Sequence, residues 1–327
     1  MRVLLSGYYG FGNVGDEAIL SGLSAGLKAR GFEVTALSGA PRATEALHGV
    51  RAAHRVRALL PALLQHDALI SGGGGLLQDR TSARSLRYYL GVLALARRLG
   101  KRAVVYGQSV GPLSPAGQRA VASTLRGLPV AVRDEASREL LYTLGVPAAL
   151  TADAALLLPR PRVTPGGDAP VLLIPRGGFP EATATLVALG KRLAAAGLRV
   201  AAMSVQAAED DAPVRALAAH VSGLEPLRAD TVTAALAHVA RSRAVVSVRL
   251  HGLVFAALAE RPFYALAYDP KVTAFMQEVG TRAYPLRADT AQLFDDVLRG
   301  ARPPACAPLR RRAAAGLDWL EAQLKRP

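Results

Sequence analysis

The sequence predicts an α/β fold, in which two Rossmann-like domains present parallel sheets to a central cleft. Three observations predict it. Short apolar runs alternate with helical segments through the first half, a proline- and glycine-rich break follows, and the alternation then resumes. At 327 residues the chain is long enough to form two cores. The expected organisation is an N-terminal domain over 1–160, a linker over 161–169, a C-terminal domain over 170–302 and a C-terminal helix over 303–327.

In the first domain, strands are expected at 2–6, 32–37, 67–71, 102–106 and 129–132, with a short sixth near 148–151. Several run directly into glycine-rich or polar loops: 7–16, GGGG at 72–75, GQSVGP at 107–112, and Arg133-Asp134. Loops that follow the strands of an open parallel sheet share one edge, the edge that binds ligands, so these loops should meet in space. The break is PRPRVTPGGDAP, 159–170. Beyond it, strands are expected at 171–175, 199–204, 244–250 and 263–267, with Arg176, Gln206, His251 and Tyr268-Asp269-Pro270-Lys271 at their ends. The tail reads as a helix with Leu317, Trp319, Leu320 and Leu324 as its apolar residues. Two such halves make a GT-B-like layout, with substrates expected in the cleft.

Composition narrows the function. Hydrophobic residues make up 51% of the chain, yet no apolar stretch is long enough to span a membrane. The N-terminus enters a strand at once, without signal-peptide architecture, which predicts a cytoplasmic protein. The single Cys306 forms no internal disulfide, and no cysteine or histidine spacing suits zinc, so neither metal nor cofactor is expected. A net charge of +15 favours anionic partners, but there is no zinc finger and no RNP-type sequence, so nucleic acid is not expected. The segment HRVRALLPALLQH, 54–66, has two readings: an amphipathic helix packed on the sheet, or a segment resting at an anionic membrane surface.

The stretch GYYGFGNVGDEAIL, 7–20, contains Gly10-x-Gly12-x-x-Gly15 between a strand and a helix, the spacing of a dinucleotide loop. Two details oppose that chemistry. Asp16 and Glu17 stand where a pyrophosphate needs bare N–H groups, and the second strand ends in Ser38 rather than a ribose-binding acid. Asp16 is expected to cap the helix and to face the crevice.

The richest local signal is VVSVRLHGLVFAALAERP, 245–262. If the strand persists through His251, Arg249 and His251 project from one face, beside the N-terminus of the following helix, and form an anion site. The alternative is an arginine paired with a carboxylate and a histidine satisfied by backbone. Lys271, one of five lysines in an arginine-rich chain, adds a compact cation. Arg133 is a further candidate, with a local ion pair to Asp134 as its alternative. In LLQDRTSARSLRYYL, 76–90, Arg80, Arg84 and Arg87 are spaced along one helical face among Thr81, Ser82, Ser85, Tyr88 and Tyr89. That face is either solvated or grips the hydroxyls and diphosphate of an acceptor. His48, His54, His66, His220 and His238 read as surface or helix-packing residues.

Taken together, GYYGFGNVGDEAIL, SGGGGLLQDRTSARSLRYYL, YGQSVGPL, VRDEAS, ADAALLL and RLHGLVFAALAERPFYALAYDPKV, in this order over about residues 2–280, resemble the polysaccharide pyruvyltransferase family. The resemblance is to the CsaB type, which modifies secondary cell-wall polymers. It implies a GT-B-like enzyme that transfers the pyruvyl group of phosphoenolpyruvate (PEP) to a sugar as a cyclic ketal, with phosphate released and no cofactor. The acceptor it implies is N-acetylmannosamine in a lipid-diphosphate-linked precursor on the cytoplasmic side, in cell-wall biogenesis and S-layer anchoring. It places PEP against Arg133, Arg249, His251 and Lys271, and the acceptor against Gly12, Asn13, Asp16, Gly73, Gly74, Gln78, Arg84 and Tyr88. His251 is the candidate general acid, and Asp16 the candidate base or hydroxyl-orienting group. Two rival readings are a GT-B glycosyltransferase with a nucleotide-sugar donor, in which Glu260 contacts the ribose, and a non-catalytic module that binds anionic polymer.

Overall fold

Parallel strand pairing organises both halves of the chain. The computed structural model describes residues 1–300 and 306–326. By contact, the chain divides into a first unit of Met1–Phe11, Asp16–Leu158 and Pro308–Pro327 and a second of Gly12–Gly15 and Pro159–Ala307. The boundary expected between 302 and 303 lies outside the described residues.

The first unit begins with β1 (Arg2–Tyr9), α1 (Val14–Lys28), β2 (Glu33–Ser38), α2 (Pro41–His48), β3 (Arg51–His54), α3 (Leu59–Gln65) and β4 (Ala68–Leu77). It continues with α4 (Ala83–Arg98), β5 (Arg102–Val110), α5 (Pro115–Leu125), β6 (Val130–Val132), α6 (Glu135–Thr143), β7 (Ala149–Leu150) and a 3₁₀ turn, Ala154–Leu157. The second unit has β8 (Val171–Ile174), α7 (Pro180–Ala195), β9 (Val200–Ser204), α8 (Ala207–His220), β10 (Glu225–Arg228), α9 (Val232–Arg241) and β11 (Ala244–Ser247). It ends with α10 (Leu250–Leu258), β12 (Phe263–Ala267), α11 (Pro270–Glu278), β13 (Ala283–Pro285) and α12 (Thr290–Arg299). Helix α13 (Ala307–Lys325) follows.

The first sheet has the strand order β3-β2-β1-β4-β5-β6-β7 and the second β10-β9-β8-β11-β12-β13. Every pairing is parallel. Two parallel sheets, each flanked by helices, form the two-domain, GT-B-like α/β architecture that the alternation predicts. In both, the chain starts in the middle, builds outward and then reverses. The reversal leaves a crevice at β1/β4 in one unit and at β8/β11 in the other, the places where open α/β sheets bind ligands.

Strands β3, β10 and β13 escape the sequence reading. All three are short edge strands with only Tyr284 buried among their residues, and β10 contains Pro226. Edge strands bury little and lack the continuous apolar run that marks a central parallel strand. Three other expectations are corrected. The GGGG run is no loop: β4 continues through it to Leu77, pairing Gly74 with Gln108 before its register shifts. The helix expected from 76 begins only at Ala83, after Ser82 caps it by accepting the Ser85 N–H at 3.2 Å, so Arg80 lies outside it. The strand expected over 244–250 stops at Ser247, whose hydroxyl accepts the Arg249 N–H at 3.0 Å and donates to the Arg249 carbonyl at 2.7 Å. This local turn competes with the ladder and ends it.

Each unit has an aliphatic core between sheet and helices, around Leu69, Leu93 and Val105 in the first and Leu173, Leu189 and Val246 in the second. Helix α13 packs in the first unit through glycines that permit close approach. A Cβ on Gly26 would lie 2.4 Å from Leu317 Cδ1, and one on Gly316 would lie 1.9 Å from Thr151 Oγ1. Arg30 adds ion pairs to Asp318 and Glu321 at 2.5 and 3.1 Å.

The glycines of β4 serve the same purpose for α1. Gly73 has φ +74° and a Cβ there would stand 2.0 Å from Ile19 Cγ2, a side chain that is 1% exposed. Gly73→Ala therefore adds both backbone strain and overpacking, and should lower stability by about 2 kcal/mol or more in urea denaturation.

Candidate functional site

At the β1/β4 switch point, α1 brings its first turn against the glycine run. The helix is capped by Asn13, whose Oδ1 accepts the Gly15 N–H at 3.0 Å. The expectation that Asp16 is the cap is thus corrected; it is the third helical residue. A Cβ on Gly74 would lie 2.8 Å from Asp16 Oδ1, so Gly74 makes room for the half-buried carboxylate. Glu17 is buried and structural: Oε1 accepts the Gly10 N–H at 2.7 Å, and Oε2 meets His48 Nε2 at 2.8 Å. Gly10 itself packs on Ser38, whose Oγ would be 2.1 Å from an added Cβ. Gly10 and Glu17 are thus spent on packing and on holding the turn. Gly12 has φ +69° and open space around it.

Tyr9 donates to the Gly72 carbonyl at 2.7 Å, and its phenol is held well above its usual range by burial and the nearby Asp16 and Glu17 carboxylates. Gln108, fully buried on β5, donates to Ser71 Oγ at 2.7 Å, while its Oε1 meets no partner among the described residues. The ends of β1, β4 and β5 therefore lie side by side at one sheet edge, though most of the segments expected as loops there, 72–75 and 107–110 included, are strand.

Around this edge lies an aromatic cluster that sequence reading missed. Tyr8 stacks on Phe11 with ring centroids 4.5 Å apart, and the Arg55 guanidinium sits 3.9 Å above the Tyr88 ring and 5.2 Å from Phe11. Tyr88 donates its hydroxyl to the Arg55 carbonyl at 2.8 Å. Only the adjacent aromatics YY at 8–9 and 88–89 signal it, and their pairing with Arg55 needs the fold. Gln78 is tied to Thr81, accepting its N–H at 3.1 Å, and Arg84 is exposed.

Arg133 lies in the first unit and is buried. Its Nη1 donates to Asp153 at 2.6 Å and its Nε to Ser109 at 2.7 Å. The anticipated pair with Asp134 does not form; Asp134 instead caps α6 through the Ser137 N–H at 2.9 Å and accepts from Ser109 at 2.5 Å.

In the second unit, Arg249, His251 and Lys271 follow β11 and β12. Because the strand ends early, Arg249 and His251 do not share a strand face: Arg249 precedes α10 and His251 is in its first turn. Arg249 takes the alternative reading of a paired arginine. Its guanidinium donates to Asp210 through Nε at 3.1 Å and through Nη2, to Gln206 at 3.0 Å and to Glu209 at 2.9 Å. Burial alone would lower the Arg249 pKa; the Asp210 carboxylate outweighs it and holds the guanidinium above its usual range. Asp210, fully buried, also accepts the N–H groups of Val205 and Gln206.

The His251 ring packs over Gly15, where a Cβ would fall 2.1 Å from Nδ1, and stands 6.3 Å from Phe255. Lys271 meets Asp269 at 3.5 Å. Arg176, after β8, stacks on Tyr268 at 4.4 Å, donates to its hydroxyl and lies 3.6 Å from Glu209. Three cations and three carboxylates thus share this edge. The most accessible of the carboxylates is Glu209, with its side chain 41% exposed. Among the described residues no His, Cys, Asp and Glu group could hold a metal ion.

Comparison with known proteins places this geometry. The chain resembles solved structures of a UDP-GlcNAc 2-epimerase from Neisseria meningitidis bound to UDP-GlcNAc (TM-score 0.65, 11% identity, all of both chains covered) and of S. aureus MnaA with UDP (TM-score 0.68, 9% identity, 100% and 98% covered). It also resembles Anabaena HepE in complex with UDP and glucose (TM-score 0.61, 11% identity, 99% and 98% covered). At such identities the likeness speaks for the fold alone. No curated protein sequence matches the chain. The sequence profile described as polysaccharide pyruvyl transferase matches residues 13–270, from the Asn13 cap to the start of α11. The chain belongs to the polysaccharide pyruvyl transferase family and is a PEP-dependent pyruvyltransferase.

Proposed function

We propose that the acceptor is an amino sugar, N-acetylmannosamine, in a lipid-diphosphate-linked precursor of a cell-wall polymer, modified at the cytoplasmic face of the membrane. The observation that carries this reading is the family match, which spans both switch-point loops, Asn13–Asp16 and Arg249–His251. No helix among the described residues is long and apolar enough to cross a membrane, so contact with a lipid-linked substrate would be peripheral.

PEP carries a carboxylate and a phosphate, and the edge after β8, β11 and β12 offers Arg176, Arg249 and Lys271 beside His251. Each of the three cations has a carboxylate within reach, so an incoming anion must displace one. Glu209 is the one to move, since it is half-exposed and touches both Arg176 and Arg249. Asp210, by contrast, is a positioning residue that keeps the Arg249 fork in place.

Transfer then needs a proton on the terminal enol carbon of PEP, and positive charge develops on the neighbouring carbon. His251 supplies the proton. One acceptor hydroxyl adds to the cationic carbon and loses its proton to Asp16; phosphate leaves with the C–O bonding pair, and the second hydroxyl closes the cyclic ketal as its proton passes to the departing phosphate. Around Asp16, Gly73 and Gly74 are occupied in packing against α1, which leaves Gly12, Asn13, Arg84 and the Tyr8–Phe11–Arg55–Tyr88 cluster for the acceptor. The nucleotide-sugar alternative gains nothing from Glu260, which pairs with Arg160.

Four outcomes test the scheme. Incubation with PEP and a synthetic N-acetylmannosamine lipid diphosphate should release phosphate in step with a pyruvyl mass gain; consumption of UDP-sugar without PEP would sink it. His251→Ala should lower kcat by about 10²–10⁴ with an unchanged thermal transition, and near-normal turnover removes His251 as the acid. Glu209→Gln removes the competing carboxylate and should lower KM for PEP by a few-fold, whereas Asp210→Asn leaves a buried guanidinium short of charge and should cost about 3 kcal/mol or more in denaturant unfolding.

A further inference from the structure

The segment 54–66 keeps both of its sequence readings, on opposite sides. Leu59, Ala62 and Leu63 pack inward on the core of the first unit. Leu60 and Leu64, one helical turn apart, and Val56 in the preceding turn do not; they are 49%, 56% and 64% exposed. Large exposed side chains of this kind are few among the described residues, and three of them fall within nine positions here.

Within the segment the charge has one sign. From Ala46 to His66 there is no aspartate or glutamate, while Arg51 and Arg57 are exposed. The flanking acids are engaged: Glu45 accepts the Ala52 N–H at 3.0 Å, and Asp67 accepts the Arg2 N–H at 2.7 Å. Lys101 adds a cation at the far end, bonding the Leu64 carbonyl at 3.1 Å. A helix with an exposed apolar ridge and basic flanks has the chemistry of an interfacial element, with apolar side chains entering the acyl boundary and arginines meeting anionic headgroups. A protein partner would not require the local exclusion of acids.

We propose that Val56, Leu60 and Leu64, with Arg51 and Arg57, dock the first unit on an anionic lipid bilayer. The purpose of this contact rests on the lipid-linked acceptor proposed above; the contact itself does not. It also links surface to site, because Arg55, immediately before the exposed Val56 and Arg57, turns inward onto Tyr88 at the acceptor edge.

The test is flotation of the full chain with vesicles of phosphatidylglycerol and phosphatidylcholine, against vesicles of phosphatidylcholine alone, at low salt and without substrate. The native chain should float with the anionic vesicles and release as salt rises. The variant V56S/L60S/L64S should bind at least about tenfold more weakly, while Tyr142→Ser, which removes an 82%-exposed aromatic elsewhere, should bind as the parent does. Failure of the native chain to float, or equal flotation of the triple variant, overturns the proposal. If the triple variant loses its circular-dichroism melting transition, Leu60→Trp replaces it. Its emission, over the background of the single native Trp319, should shift to the blue with anionic vesicles, and no shift overturns the proposal. Turnover on a water-soluble acceptor, measured in parallel, reports on the acceptor reading separately. The triple variant should keep that turnover while losing turnover on the lipid-linked form presented in vesicles.

Discussion

The first unit depends on how closely helix α1 lies against strand β4. Side chains on successive glycines would collide with the helix: Gly73 with Ile19, and Gly74 with the Asp16 carboxylate. Removing those Cβ atoms lets a helix and a parallel strand meet at backbone distance, and both glycines adopt positive φ to do so. The consequences extend outward. Asp16 is held at the sheet edge, Glu17 anchors the Gly10 turn and reaches His48, and Ser21 bonds the other nitrogen of the same ring at 2.8 Å. In the spacing that mimics a dinucleotide loop, Gly10 and Gly15 serve packing against Ser38 and His251, while room for the Asp16 carboxylate comes from Gly74.

The second unit solves a different problem, that of keeping a guanidinium in place in a buried setting. Arg249 is surrounded by Gln206, just before α8, and by Glu209 and Asp210 in the first turn of that helix. A buried charge that lost its partner would be costly, so the pair locks the turn that ends β11 and presents His251 from the first turn of α10. The neighbouring glycine of the N-terminal segment then sets where the ring can lie, since Gly15 leaves room for the imidazole and no more. Here the division of labour among charged groups follows burial. Fully buried Asp210 holds the guanidinium, and the proposed exchange with a substrate anion falls to partly exposed Glu209.

Both sheets share one winding order, so chemistry gathers at equivalent places in each, outside the carboxyl ends of the strands where the order reverses. Family membership makes the chain a pyruvyltransferase that uses PEP. The basic surplus of the chain also acquires a place, since a run of twenty-one residues without an acid, Ala46–His66, borders the exposed ridge of α3.

The sequence by itself determined the fold class, the central strands, which segments gather at the sheet edge and the family. All of these rest on local apolar runs and on motifs contiguous in the chain. Tertiary structure alone decided which charged groups are spent internally. Arg133 pairs with Asp153 rather than its neighbour Asp134, Arg249 with residues some forty positions earlier, and Arg55 with Tyr88. It also decided that β4 runs on through its glycines, that Ser247 ends β11, and that Leu60 and Leu64 face outward while Leu63 faces in. The physical reason is common to all of them. Partner choice for a long charged side chain, and the burial of one leucine over the next, depend on groups that only folding brings within a few ångströms, whereas strand and helix period are written in neighbouring residues.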